Sequence, residues 1–304
     1  MTTLKRPASS PILFLTLLSF SAGLRAQTLP SIQSRWNRSS PPKSAYAAIK
    51  PRPAPRRDLS GIWDATPEGG IQPKGPKEYP ALLPDHPDDD VGGQPDESGI
   101  IRQLPYTPLG LATLKTHKPG VGVRAVFPAD LNDPVDSCDP VGYPRMQFFE
   151  FRVVYLAQMN NRLLYLNQFH NAWRVIWTDG RALPKLNELS PRWNGYSVGK
   201  WLDDYTFEVE TIGMKGATWL DNPGRPHSDV LRVKELYHRR NSDVIELTVT
   251  VDDSKMYTRP WVALDKFVLH RLPDDFDAEE FICAPSEVAS YNQFMAEPAS
   301  SGGR

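Results

Sequence analysis

His227 stands in Pro226-His227-Ser228-Asp229, with Asp221 upstream in Trp219-Leu220-Asp221. An imidazole beside a carboxylate is a device for moving protons near neutral pH, because the carboxylate holds one tautomer and raises the basicity of the free ring nitrogen. In that reading His227 is a base and Asp229 or Asp221 orients it. The same residues also suit a loop lock, in which Ser228 and Asp229 side chains bind backbone amides ahead of the next strand. Both readings stay open.

Glu235 shares an inward row with Leu231, Val233 and Tyr237. A carboxylate on an apolar face costs several kcal/mol (~2–7 as a neutral polar group, more as a charge) unless it is paired or protonated. It is a cavity acid, or the partner of an interior arginine, or a residue turned outward by a bulge. Arg181, in Asp179-Gly180-Arg181, has the fork that grips carboxylate or phosphate, and Asp179 is near enough in sequence to hold it instead. Trp193, Tyr196, Trp219, Tyr257 and Arg259 complete the candidate ligand-binding set, as aromatic faces and a cation at strand ends and in loops. No nucleotide, redox or metal signature accompanies them, so no cofactor and no metal is expected. The run Gly195-Tyr196-Ser197-Val198-Gly199 falls inside a predicted strand, so Ser197 is discounted as a nucleophile.

The elements that position these residues are strands. From Phe148 the pattern has period two: Phe149, Phe151, Val153 and Tyr155, then Leu163 to Phe169, then Trp173, Val175 and Trp177. Asn160-Asn161, His170-Asn171 and Asp203-Asp204 are turn signals. Strands continue over Tyr196 to Leu202, Tyr205 to Val209, Leu231 to Tyr237, Ile245 to Val251 and Trp261 to Leu269. With Gly61-Ile62-Trp63 added, this predicts an all-β antiparallel meander closed into a lipocalin-like β-barrel of about eight to ten strands, with long loops. One short helix is expected over Thr107 to His117, with Thr107 as N-cap and Pro108 in the first turn.

A meander assigns loops to ends. If every strand reverses direction, the 159–161 turn shares an end with the 179–194, 213–229 and 252–260 loops. His170-Asn171, Asp203-Asp204 and 240–243 share the other. On this basis the motif-rich loops form one rim, where a barrel ligand would enter, and His170 is left out of the site.

Net charge of −1 gives no reason to expect nucleic acid. Lys5 and Arg6, an apolar run from Ile12 to Phe20, and Leu24-Arg25-Ala26 form an export signal, residues 1–26, whose apolar run is too short for a stable membrane anchor. A disordered leader is expected over 27–57, a single barrel domain over 58–285 and a flexible tail over 286–304. After export, Cys138 and Cys283 are expected to form one disulfide closing a loop of about 145 residues. The acidic run Asp85 to Asp90 reads as a solvated loop, with cation binding as the alternative.

Six motifs taken together resemble a large group of exported lipocalin-like proteins of soil bacteria. They are the Gly180-Arg181 loop, Trp193-Asn-Gly-x-Ser-x-Gly-x-Trp201, Trp219-Leu-Asp221, Pro226-His227-Ser-Asp229, Glu235-x-Tyr-x-Arg239 and Tyr257-Thr-x-Pro-Trp261. The likeness runs from Asp58 to Cys283 and implies an architecture rather than an activity. Tyr196 departs from it, since the group usually has His at that position. Three functional readings follow. The first is a barrel binding a small apolar or aromatic ligand in its interior. The second is a cofactor-free acid/base enzyme (a hydratase, isomerase or hydrolase) built on His227. The third, a module docking envelope proteins, has no exposed apolar signature in the sequence.

Overall fold

The computed structural model describes residues 52–64, 104–120, 124–148, 153–278 and 281–297. The signal segment, most of the leader, the Asp85 to Asp90 run, Phe149 and Phe151 lie outside the described residues. Nine strands close into one barrel in sequence order: β1 (Gly61–Asp64), β2 (Val154–Gln158), β3 (Arg162–Asn167), β4 (Trp173–Trp177), β5 (Tyr196–Trp201), β6 (Thr206–Ile212), β7 (Arg232–Asn241), β8 (Val244–Asp252) and β9 (Trp261–Arg271). Short helices are α1 (Pro108–Thr116), α2 (Arg145–Phe148) and α3 (Pro285–Tyr291). The closed all-β barrel is the expected fold. Among the described residues no helix is long and apolar enough to cross a membrane.

Alternation sets the two faces of the wall. On β8, Ile245, Leu247, Val249 and Val251 are fully buried, while Glu246, Thr248 and Thr250 between them are half-buried. On β7 the inward row is Val233, Glu235, Tyr237 and Arg239. A one-residue slip would turn each row outward, so burial of one face fixes the register. Trp63 on β1 is buried, donates Nε1–H to the Leu59 carbonyl at 3.1 Å and lies 4.7 Å from the Arg239 guanidinium. Arg239 in turn donates to the carbonyls of Asp58, Asn241 and Ser242.

One step departs from the meander. β4 and β5 pair in parallel, and over only Ile176↔Ser197 and Trp177↔Val198. Every other neighbouring pair is antiparallel. The 178–195 connection therefore runs the height of the barrel instead of turning back at one rim. All later loops change ends. The 213–231 and 253–260 loops still share an end, but it is the end of His170-Asn171, and Asp179-Gly180-Arg181 lies at the opposite one. Eighteen irregular residues are enough for such a crossing, and strand alternation carries no information about direction.

Part of the barrel interior is occupied by a segment of the chain itself. The chain enters it through Gly142, Tyr143 and Pro144, and Tyr143, Met146, Gln147 and Phe148 are all fully buried. They pack in one continuous core with Trp63, Tyr165, Phe207, Tyr237 and Leu247. Ahead of β1, Arg52 pairs with Asp243, and Arg56 and Arg57 with Asp204, across the turns of the barrel. Beyond Cys283 the chain forms the helix α3.

The expected disulfide is present, joining Cys138 to Cys283 with Cα atoms 5.4 Å apart. It closes a loop of 145 residues in the unfolded chain. By chain entropy that contributes about 4–5 kcal/mol. Replacing both cysteines by serine is expected to lower the melting temperature substantially, and dithiothreitol should do the same to the parent protein and nothing to the double variant. A thermal melt followed by circular dichroism checks both.

Candidate functional site

At the centre of the barrel, Arg174 of β4 meets Glu235 of β7. Its Nη2 donates to both carboxylate oxygens, at 2.6 and 2.7 Å. Gln147 Nε2 donates to Glu235 Oε1 at 2.8 Å and Tyr237 OH donates to the same oxygen at 2.6 Å. The guanidinium lies 4.0 Å from the Tyr143 ring and 5.1 Å from the Tyr165 ring. Burial pushes the Arg174 guanidinium down, but Glu235 beside it prevails, and the group stays charged well above its ordinary value. Burial and the Glu235 charge push the phenols of Tyr143 and Tyr237 far up, so both remain protonated. Of the arrangements considered for Glu235, the geometry is that of an interior ion pair.

The 213–231 loop is a second polar cluster. His227 is buried, with Nε2 at 2.7 Å from Thr218 Oγ1 and Nδ1 at 3.1 Å from the Ser228 carbonyl. A carbonyl only accepts, so Nδ1 carries the proton and Thr218 donates its hydroxyl to Nε2. Neither Asp221 nor Asp229 touches the ring. Asp221 accepts from the Arg225 backbone N–H at 2.9 Å and pairs with the Arg225 guanidinium. Asp229 is exposed and pairs with Lys255 at 2.6 Å. The carboxylate that organises this loop is Asp253, which sequence reasoning missed. It accepts from the Ser228 backbone N–H at 2.5 Å and from Ser228 Oγ at 2.8 Å. This is the arrangement of a loop lock, with its acid supplied from the β8–β9 loop.

Several residues expected on a binding rim are interior to that lock. Trp219 is buried, stacked on His117 at 4.7 Å and under Arg145 at 5.7 Å. Arg145 itself is held by both oxygens of Asp133, at 2.8 and 2.6 Å, and by Asn222. Tyr257 is buried and donates its hydroxyl to the Pro226 carbonyl at 2.8 Å. Arg259 is exposed in the β8–β9 loop. Ser197 is buried in β5 at 2.9 Å from Thr211 Oγ1, with no strand-to-helix turn.

Where β4 and β5 fail to pair, an open cleft of about 580 Å³ lies at the barrel's outer surface. Trp173, Trp177, Trp193 and Tyr196 line it, with Arg192 and the Cys138–Cys283 disulfide. Trp173 is 60% exposed and Ile282, also in the lining, 57%. The C-terminal wall is pinned by the disulfide and by Phe281, stacked on Phe169 at 4.8 Å. Gly195, also in the lining, has φ +64°, and a Cβ there would sit 2.6 Å from Met214 Sδ and 2.8 Å from the Ile212 carbonyl, so glycine lets this stretch pack closely on the end of β6. Arg181 braces the cleft from the far side, gripping Asp179 at 2.6 Å, lying 3.7 Å from the Trp177 ring and donating to Tyr196 OH at 3.1 Å.

The structure thus brings Trp193 and Tyr196 together in a cleft, with Arg181 behind them. It adds Trp173, Arg192 and His170, none of which was in the candidate set. It does not gather His227, Asp221, Asp229 and Glu235, whose hydrogen-bond partners are all different. Among the described residues no group of three or more His, Cys, Asp and Glu is placed to hold a metal. No family model, curated protein or solved structure matches the chain.

Two outcomes test this electrostatic account. Breaking one side of the buried pair, with Glu235→Gln or Arg174→Met, should cost about 3–5 kcal/mol, because each leaves a buried charge uncompensated. The double variant should cost less than the sum of the singles in urea melts. The imidazoles predict a pH dependence. Burial pushes His227 below the usual histidine range, against the opposing pull of the Ser228 carbonyl and Asp253. Burial does the same to His117, opposed by the Gly224 carbonyl and reinforced by Arg124. Above pH ~6.5 both rings are neutral whether folded or unfolded, and stability is undiminished. Below it the unfolded chain takes up protons the folded chain refuses, so stability falls by at most ~1.4 kcal/mol per pH unit per ring. Melting temperature should drop between pH 7.5 and 5, and His117→Gln with His227→Gln should flatten that drop.

Proposed function

We propose that this protein binds a small aromatic or largely apolar molecule, and that the seat is the cleft beside the β4–β5 seam rather than the barrel interior. The observation that carries the reading is the cleft itself, with four large aromatic side chains around about 580 Å³. Small-molecule sites have this size and character, mostly apolar with few polar groups. The interior, by contrast, is occupied by the Tyr143 to Phe148 segment and the Glu235–Arg174 pair.

The acid/base alternative has less support. His227 is 4% exposed and both its ring nitrogens are engaged within its own loop. A base needs hydrogen-bond reach to a substrate proton. We also read the protein as exported, to the periplasm or beyond, in keeping with the likeness to exported lipocalin-like proteins. The Cys138–Cys283 disulfide supports an oxidising compartment.

2-Naphthamide, a neutral planar probe, is expected to bind saturably in isothermal titration calorimetry. Trp173→Ala with Trp193→Ala should weaken it about tenfold, ~1.4 kcal/mol. His227→Gln should leave affinity unchanged. Loss of binding in His227→Gln, with the tryptophan variant unaffected, would move the site to the 213–231 loop and sink the cleft reading.

A further inference from the structure

We infer that the ligand of this cleft carries an anionic head group, and that Arg192 receives it. The inference rests on the binding reading above and adds the chemical class of the ligand.

The charge around the cleft is one-sided. Among the described residues its lining includes Arg174, Arg192 and His170, and neither aspartate nor glutamate. Arg174 is neutralised by Glu235. Arg181, behind the cleft, is neutralised by Asp179. Arg192 is different. It is exposed, its guanidinium lies 5.5 Å from the Tyr196 ring, and no carboxylate among the described residues pairs with it. Lys215 stands next to it and is exposed in the same way. Its backbone N–H donates to the Arg192 carbonyl at 2.8 Å and its Nζ lies 4.2 Å from the Trp193 ring. Two cations without carboxylate partners therefore flank one aromatic wall, the wall formed by Trp193 and Tyr196.

The placement is built rather than incidental. Arg192 N–H donates to the Gly213 carbonyl at 2.9 Å, and Arg192 and Met214 form a parallel bridge, so the base of the side chain is fixed at the mouth of the cleft. A guanidinium held against apolar walls pairs with carboxylate or phosphate through two parallel hydrogen bonds, more strongly than in open water. The aromatic faces would take the planar body of the ligand while the fork takes its head. Carboxylates and phosphate monoesters both satisfy this chemistry, and the probes below separate them.

The test compares naphthalene-2-carboxylate, 2-naphthyl phosphate and neutral 2-naphthamide by calorimetry, on the full chain with its disulfide intact. One of the two anions should bind at least about tenfold more tightly than the amide, with the gap narrowing as salt is raised. Arg192→Gln should erase the gap with the melting curve unchanged, and Lys215→Gln should narrow it. Equal binding of all three probes overturns the anionic head and leaves the cleft standing. A gap that survives Arg192→Gln overturns the assignment to that residue. If no probe binds up to its solubility limit, the cleft reading fails and this inference fails with it.

Discussion

A carboxylate at the centre of an apolar barrel must be matched in charge and in hydrogen bonds, or the barrel cannot close around it. Glu235 is matched by Arg174 from the facing part of the wall, by Tyr237 two residues along its own strand, and by Gln147 from the inserted helix α2. Three separate stretches of chain converge on one group. Desolvating such a pair costs several kcal/mol per ion, so it is weak as a source of net stability. What it does supply is position. It fixes which face of β4 points inward, and it ties the Tyr143 to Phe148 segment to the wall. If β4 slipped by one residue, Arg174 would face solvent, Trp173 and Trp177 would enter the core, and Glu235 would be left charged and alone.

The parallel step between β4 and β5 follows the same logic. With β4 held inward-facing by Arg174, its outer face carries Trp173, Val175 and Trp177. β5 reaches β4 only at its upper half, and below that point the two strands separate. The space is covered by the 138–142 segment, the Arg192 to Gly195 approach and the disulfide-bound residues 281–283. A closed barrel has no free edge, but a barrel with one short ladder has a seam. Here the seam is where side chains from four distant parts of the sequence meet without filling the volume between them.

The sequence made the strands legible because each is half-buried and alternates cleanly, as in β7 and β8, and because Asp203-Asp204 and Asn160-Asn161 are strong turn signals. The disulfide was legible from two cysteines and an export-like leader. The end assignment was not, because it depended on one connection. Residues 178–195 have the composition of a rim loop, and whether such a loop returns or crosses is decided by what the destination strand pairs with. That single reversal separated Asp179 and Arg181 from the 213–231 loop and restored His170 to the neighbourhood of the cleft. The partner of Ser228 was also hidden. Asp253 lies in another loop, and nothing near it in sequence distinguishes it from Asp252. Alternation grouped Trp173 with Val175 and Trp177 without indicating that this side of β4 faces outward.

The lower end of the barrel contains many groups of the kind catalysis uses, and their state bears on what the protein can do. Asp133 is held by Arg145, Asp221 by Arg225, Asp253 by Ser228, Asp229 by Lys255, and His227 by Thr218 and the Ser228 carbonyl. Each proton or charge is already assigned to a neighbour, and the strongest of these contacts are buried. Groups in this condition make a stiff frame. In the binding reading proposed above, such a frame would hold the aromatic faces of the cleft and the Arg192 cation at fixed separation and so lower the entropy lost when a ligand is captured.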